Sequence, residues 1–193
     1  MNSLHTNPIK ANEIAKLRAI LGYDLSAIYS PYLDVDLSTG LIRTHQVSFS
    51  LESETPQFLN ISTAWWQTEM EDYHTFVLET SDKPGIIPFE FDDTHERHGF
   101  GSVSQCDCNA GRVKKIEIVQ SKFEAEGDFV PAGSEMFVET IVYDRGINIH
   151  CERGIISLAT TFCLIEGDIQ IRNQPVILSD DPTEVMTVRK TLE

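Results

Sequence analysis

Basic residues are scarce in this 193-residue chain, with 15 lysines and arginines against 30 aspartates and glutamates and a formal charge of −15. The excess is spread evenly, 15 acids to 6 bases over residues 1–97 and 15 to 9 over residues 98–193. Such a surface repels phosphate backbones and anionic headgroups, so neither nucleic acid nor a membrane surface is expected as a partner. Long apolar runs are also missing. The most apolar stretch, GIISLATTFCLI over 154–165, has 12 residues and is too short to cross a bilayer. The opening MNSLHTNPIK has neither the basic nor the apolar region of a secretory signal. A cytoplasmic location is the resulting expectation, and there the four cysteines are expected as free thiols. Low-complexity blocks and fixed-period repeats are absent as well.

What is present is the composition of an ordinary globular protein, 41% apolar and 23% charged. At this length one domain over 1–193 is expected. TNPIKANEIAKLRAILG predicts a helix over about 8–21, capped by Asn7, opened by Pro8 and closed at Gly22. Its Ile9, Ile14, Leu17, Ile20 and Leu21 fall on one side, which fits a helix laid on a sheet.

From about 25 to 190 the apolar period becomes two. Residues 33–37 and 47–51 alternate around a Ser38-Thr39-Gly40 turn and predict a hairpin. Asp82-Lys83-Pro84-Gly85, Asn109-Ala110-Gly111, Asp144-Arg145-Gly146 and Glu166-Gly167-Asp168 all look like turns. Helical spacing recurs only weakly, around 62–70. The expected fold is mainly β: an antiparallel barrel or closed sandwich of about ten strands with one short N-terminal helix.

Chemistry-bearing residues concentrate in FEFDDTHERHGFGSVSQCDCNAG, Phe89 to Gly111. His95, His98, Cys106 and Cys108 are the candidate metal ligands, and imidazole with thiolate points to zinc. The H-x2-H-x7-C-x-C spacing matches no specific zinc pattern, and His95-Glu96-Arg97-His98 is one residue short of H-E-x-x-H. The competing account is an exposed polar loop, with the two cysteines buried as small hydrophobes on one face of a short strand. No G-x-S-x-G nucleophile elbow occurs, so whether the protein is an enzyme stays open. EGDFVPAGSEM, Glu126 to Met136, resembles the second conserved stretch of cupins, where Gly-Asp and Pro-x-Gly precede a metal-binding histidine. Glu135 and Met136 stand where that histidine is expected, and no H-x-H lies upstream, so no family is assigned.

The remaining candidates suit ligand binding. His45 shares a strand face with Val47, Phe49 and Leu51 and is expected to point at the core or a cavity. His150 is expected to pair with Glu152 on a polar face. Trp65 and Trp66 oppose each other on an extended chain, one facing inward and one toward solvent or a partner. His45, Phe49, Trp65, Trp66, Tyr73 and Tyr143 are therefore the expected lining of an interior cavity for a small apolar or aromatic ligand. A metal-dependent β-fold enzyme using His95 and His98, and an assembly protein forming homo-oligomers through a strand edge, are the alternatives.

Overall fold

The computed structural model describes residues 2–31, 33–55, 57–69, 71–85, 90–91, 97–98, 104–126, 138–160, 168–176 and 183–193. In chain order these form β1 (Asn2–Asn7), α1 (Ala11–Ala19), β2 (Asp24–Ser30), β3 (Asp34–Asp36), β4 (Leu41–Thr44), β5 (Gln46–Leu51), β6 (Gln57–Gln67) and β7 (Asp72–Ser81). There follow β8 (Glu90–Phe91), β9 (Arg97–His98), β10 (Ser104–Glu126), β11 (Val138–Cys151), β12 (Gly154–Thr160), β13 (Ile169–Arg172) and β14 (Val185–Leu192). Mainly β with one short helix is what the alternating pattern implied.

Twelve strands join one sheet in the order β3-β4-β13-β12-β11-β10-β2-β5-β6-β7, while among the described residues β8 and β9 pair only with each other. β1 adds to β11 and β14 to β10 beside this path. Every ladder is antiparallel except β1 with β11. The sheet is not closed: its end strands, β3 and β7, are not paired to each other.

The long β10–β11 hairpin is the spine. The first part of β10 pairs with β2 from Ser104 to Arg112, and the remainder pairs with β11 from Val113 to Glu126. Two apparent turns of the sequence lie inside these strands. Val119 faces Gly146 and Gln120 faces Asp144, so Arg145 is an extra residue in β11. Asp144-Arg145-Gly146 is thus a bulge in one continuous strand. A Cβ at Gly146 would sit 3.1 Å from Val176 and 3.2 Å from Val119, close enough that those side chains would have to shift. Asn109-Ala110-Gly111 likewise falls at a register shift within β10, where Gly111 has φ 75°.

The bulge at Arg145 has a packing consequence. An extra residue reverses which side chains face inward, since alternation has period two. Ile147 and Ile149, on one side of it, join the main core with Phe49, Leu59, Ile61, Leu78, Ile116, Ile118 and Leu158. Ile141 and Tyr143, on the other side, join a second cluster with Tyr73, Trp66 and Phe123. Fully burying each large aliphatic side chain contributes about 1.5–3 kcal/mol, so the main core dominates stability.

Several connections differ from expectation. β3 pairs with β4 across residues 37–40, whereas Gln46–Leu51 pairs with β2 and β6. The expected hairpin of 33–37 with 47–51 is therefore wrong; the polar Asp36 turn serves the nearer partner, and its carboxylate accepts from Ser38 and Thr39. Residues 57–67 are strand, so the weak helical spacing there carried no structure. Residues 86–89 and the segment containing Gly167 lie outside the described residues.

The helix is capped at Lys10 rather than Asn7, because Glu13 supplies the cap: its carboxylate accepts the Lys10 N–H at 3.0 Å. Its other oxygen accepts the Leu78 N–H at 3.3 Å, while Lys16 Nζ donates to the Leu78 carbonyl at 2.5 Å. Both backbone groups of one residue on the end strand β7 are thereby satisfied by helix side chains. Leu17 and Ile20, both fully buried, seat α1 on the main core.

Candidate functional site

The structure brings three of the expected ligand-binding residues together. Trp66, Tyr73 and Tyr143 form one aromatic cluster, with Trp66–Tyr73 centroids 5.6 Å apart, Trp66–Tyr143 5.9 Å and Tyr73–Tyr143 5.8 Å. Phe123 packs beside both tyrosines. Burial pushes the Tyr73 phenol above its ordinary value and the Tyr143 phenol to about 12, so both stay neutral at physiological pH. These rings pack against one another as a small core.

The other three are elsewhere. Phe49 is fully buried in the main core. His45 sits between β4 and β5, partly exposed, with Nδ1 2.8 Å from Asp168 Oδ1. Trp65 points away from its neighbour Trp66, since β6 pairs Trp65 with His74 and Trp66 with Tyr73. Its indole lies 4.7 Å from the His74 ring, and it is 55% exposed. An indole this open is unusual enough to need a reason.

That indole forms part of the wall of a pocket of about 160 Å³ between the β1–α1 connection and the β6–β7 hairpin. Asn7, Pro8, Ile9, Lys10 and Glu13 line one side; Ala64, Trp65, Thr75, Phe76 and Val77 line the other, with Asp144 at the boundary. Asp144 is buried and faces Gln120 in the ladder, next to the bulged Arg145. Arg189 of β14 donates to it twice, at 2.7 Å and 2.5 Å, and the Ile9 N–H donates at 2.7 Å. One carboxylate thus ties β11, β14 and the chain entering α1. Glu13 is similarly committed to Lys10 N–H and Leu78 N–H. Among the described residues, Lys10 Nζ has no partner.

A second polar focus surrounds Glu139, fully buried on β11. It accepts from Thr68 Oγ1 at 2.8 Å and Glu69 N–H at 3.1 Å, and His5 Nε2 stands 3.4 Å away. This carboxylate closes the β6–β7 turn onto β1 and β11. On another face Glu117 meets Lys115 Nζ at 2.7 Å and His150 Nε2 at 2.9 Å. Burial raises the Glu117 carboxyl, but these two partners more than offset it and hold it below its ordinary value. Glu152 instead pairs with Lys114, so the expected His150–Glu152 pair does not form. The physical reason is cross-strand register: Glu117 faces Asn148 on β11, diagonal to His150.

Of the candidate metal ligands, His95 lies outside the described residues and His98 is in β9. Cys106 is exposed and Cys108 half-buried, both on the 23-residue β10. They are thus not two buried thiols of a short strand: Cys108 packs against the margin of the main core while Cys106 stays open. Burial raises the Cys108 thiol and pushes Cys151 to about 11, which disfavours the thiolate a metal requires. Among the described residues no group of three or more His, Cys, Asp and Glu side chains is arranged around a common centre. No described helix is long and apolar enough to cross a membrane.

The Trp65 pocket was not legible beforehand in its full lining. Trp65 itself stood out, but Lys10, Glu13 and Asp144 did not. The Lys10-x-x-Glu13 spacing was the available signal for the cap. Nothing local marked Asp144, whose partners are 135 and 45 residues away. No family model matches the chain, and neither does any curated protein or solved structure.

Proposed function

We propose that this is a small-ligand-binding protein built on a curled, barrel-like β-sheet, and that the ligand occupies the pocket beside Trp65. The observation that carries this is an indole left 55% exposed as the wall of a pocket otherwise bounded by packed and hydrogen-bonded elements. A volume of about 160 Å³ suits a single aromatic ring, since a cavity of about 150 Å³ accepts benzene. Phe76, Ile9 and Ala64 supply apolar wall, and Trp65 supplies a flat face for offset stacking. The site is open at the surface and abuts the margin of the main core, which shares Ile9 and Phe76 with its wall, while Phe49 lies deeper in that core.

Backbone NMR during titration with benzamide tests this. Amide shifts clustering at 7–10, 64–65 and 75–77 are expected, with Trp65→Leu weakening them. Shifts confined to other strands, or none at all, refute the pocket.

Self-association is a second reading with its own observation. Val185 and Val188 of β14 and Leu4 of β1 are exposed large hydrophobics on strands that, among the described residues, pair on one side only. Sedimentation of the protein and of a Val188→Lys variant tests it: a concentration-dependent mass lost in the variant supports the edge, and a constant monomer mass rejects it.

A further inference from the structure

We infer that the Trp65 pocket takes a one-ring aromatic carboxylate, its ring on the indole and its carboxylate on Lys10 Nζ. This rests on the pocket being a ligand site at all and specifies what that ligand is.

The charge around the pocket decides the ligand's sign. Two carboxylates, Glu13 and Asp144, belong to its wall, and taken alone they would favour a cation. Both are committed. Asp144 accepts two hydrogen bonds from the Arg189 guanidinium and a third from the Ile9 N–H. Glu13 accepts two backbone N–H groups, and the Lys16 ammonium binds the carbonyl of the same Leu78 whose N–H Glu13 receives. Arg189 thus neutralises Asp144 and two backbone N–H groups hold Glu13, so the Lys10 ammonium is the charged group of the wall left uncommitted. Its main chain is fixed at the helix cap, but its side chain is exposed and has no partner among the described residues.

Chemistry on the two sides of the pocket differs accordingly. The side with Trp65 and Phe76 is aromatic and prefers a ring face. The side with Lys10 prefers an anion. A cation directed at Asp144 would have to displace Arg189 from a buried pair, leaving a guanidinium without its carboxylate. In a chain of formal charge −15, an uncommitted lysine lining the same pocket as an open indole is a local inversion of the surface, which selects anions that the rest of the molecule repels.

Three one-ring probes of similar size and different charge separate the possibilities: benzoate, benzamide and benzylammonium, titrated by ligand-observed NMR at low ionic strength against the full chain. For so few atoms and so open a site, dissociation constants on the order of 1 mM are expected. Benzoate should bind about five-fold more tightly than benzamide, the scale of one partly exposed ion pair. Lys10→Gln should abolish that preference, bringing benzoate and benzamide to equal affinity, and Lys10→Arg should retain it. The Glu13 cap uses the Lys10 main chain, so neither variant disturbs the fold, which circular dichroism checks. Equal binding of benzoate and benzamide, or tighter binding of benzylammonium, overturns the anion assignment and leaves the pocket standing. Failure of all three probes overturns both.

Discussion

The two ends of the β10–β11 hairpin are built from different materials. At one end Ile116, Ile118, Ile147 and Ile149 enter an almost entirely aliphatic core whose members come from nearly every strand and from α1. At the other end, past the Arg145 bulge, Tyr73, Tyr143, Trp66 and Phe123 pack as aromatics, and the carboxylates of Glu139 and Asp144 are buried nearby. Aliphatic packing needs only volume and pattern. A buried carboxylate needs specific partners, and here they come from β1, β6, β14 and the approach to α1. The second end is therefore where positions are individually specified, and the open pocket lies along it.

Breaking the first end should cost most. Phe49→Ala, in the aliphatic core, is expected to lower unfolding stability by about 3–5 kcal/mol in a urea titration. Removing a charge partner at the second end comes next: Arg189→Leu leaves Asp144 buried with only the Ile9 N–H, and about 3 kcal/mol should be lost. Adding Asp144→Asn should recover part of that loss, a non-additivity not expected between Phe49→Ala and Arg189→Leu. If Arg189→Leu is silent, the contrast between the two ends collapses.

Smaller effects sharpen the contrast. Trp65→Leu should leave stability within about 0.5 kcal/mol, since the indole is largely exposed, while ligand response falls. Thiol labelling at pH 8 should modify Cys106 first and leave Cys108 and Cys151 slow, because burial raises both of the latter. Cys106→Ser should remove one fast-reacting thiol.

Acidification should give the least effect. The Glu117 carboxyl is held below its ordinary 4.5 in the folded protein. Its contribution is therefore complete above that value and is lost as pH falls through the lowered folded one. Glu117→Gln should flatten that portion of the acid-stability profile.

Much of this architecture was legible along the chain. Alternation at Val47, Phe49 and Leu51, and at Ile147 and Ile149, marked strands whose inward faces are buried as expected. The site was only partly legible: Trp65 and Trp66 could be seen to oppose, but not which of them would stay open. That outcome depends on Tyr73 and Tyr143 covering Trp66 while the β1–α1 connection stops short of covering Trp65.

Because side-chain period and charge are properties of neighbouring residues, the amino-acid order by itself determined the mainly β class, the short helix after Lys10 and the acidic balance, but not the strand Asn2–Asn7 ahead of that helix. Only the tertiary structure decided that Asp144-Arg145-Gly146 and Asn109-Ala110-Gly111 continue their strands instead of turning them. A bulge and a turn use the same flexible and polar residues, and what separates them is whether a partner strand carries the ladder onward. Here β11 and β10 carry each other past one irregularity, and β2 holds β10 beyond the second. The same long-range pairing buries Asp144 and ties it to Arg189 and to the chain entering α1.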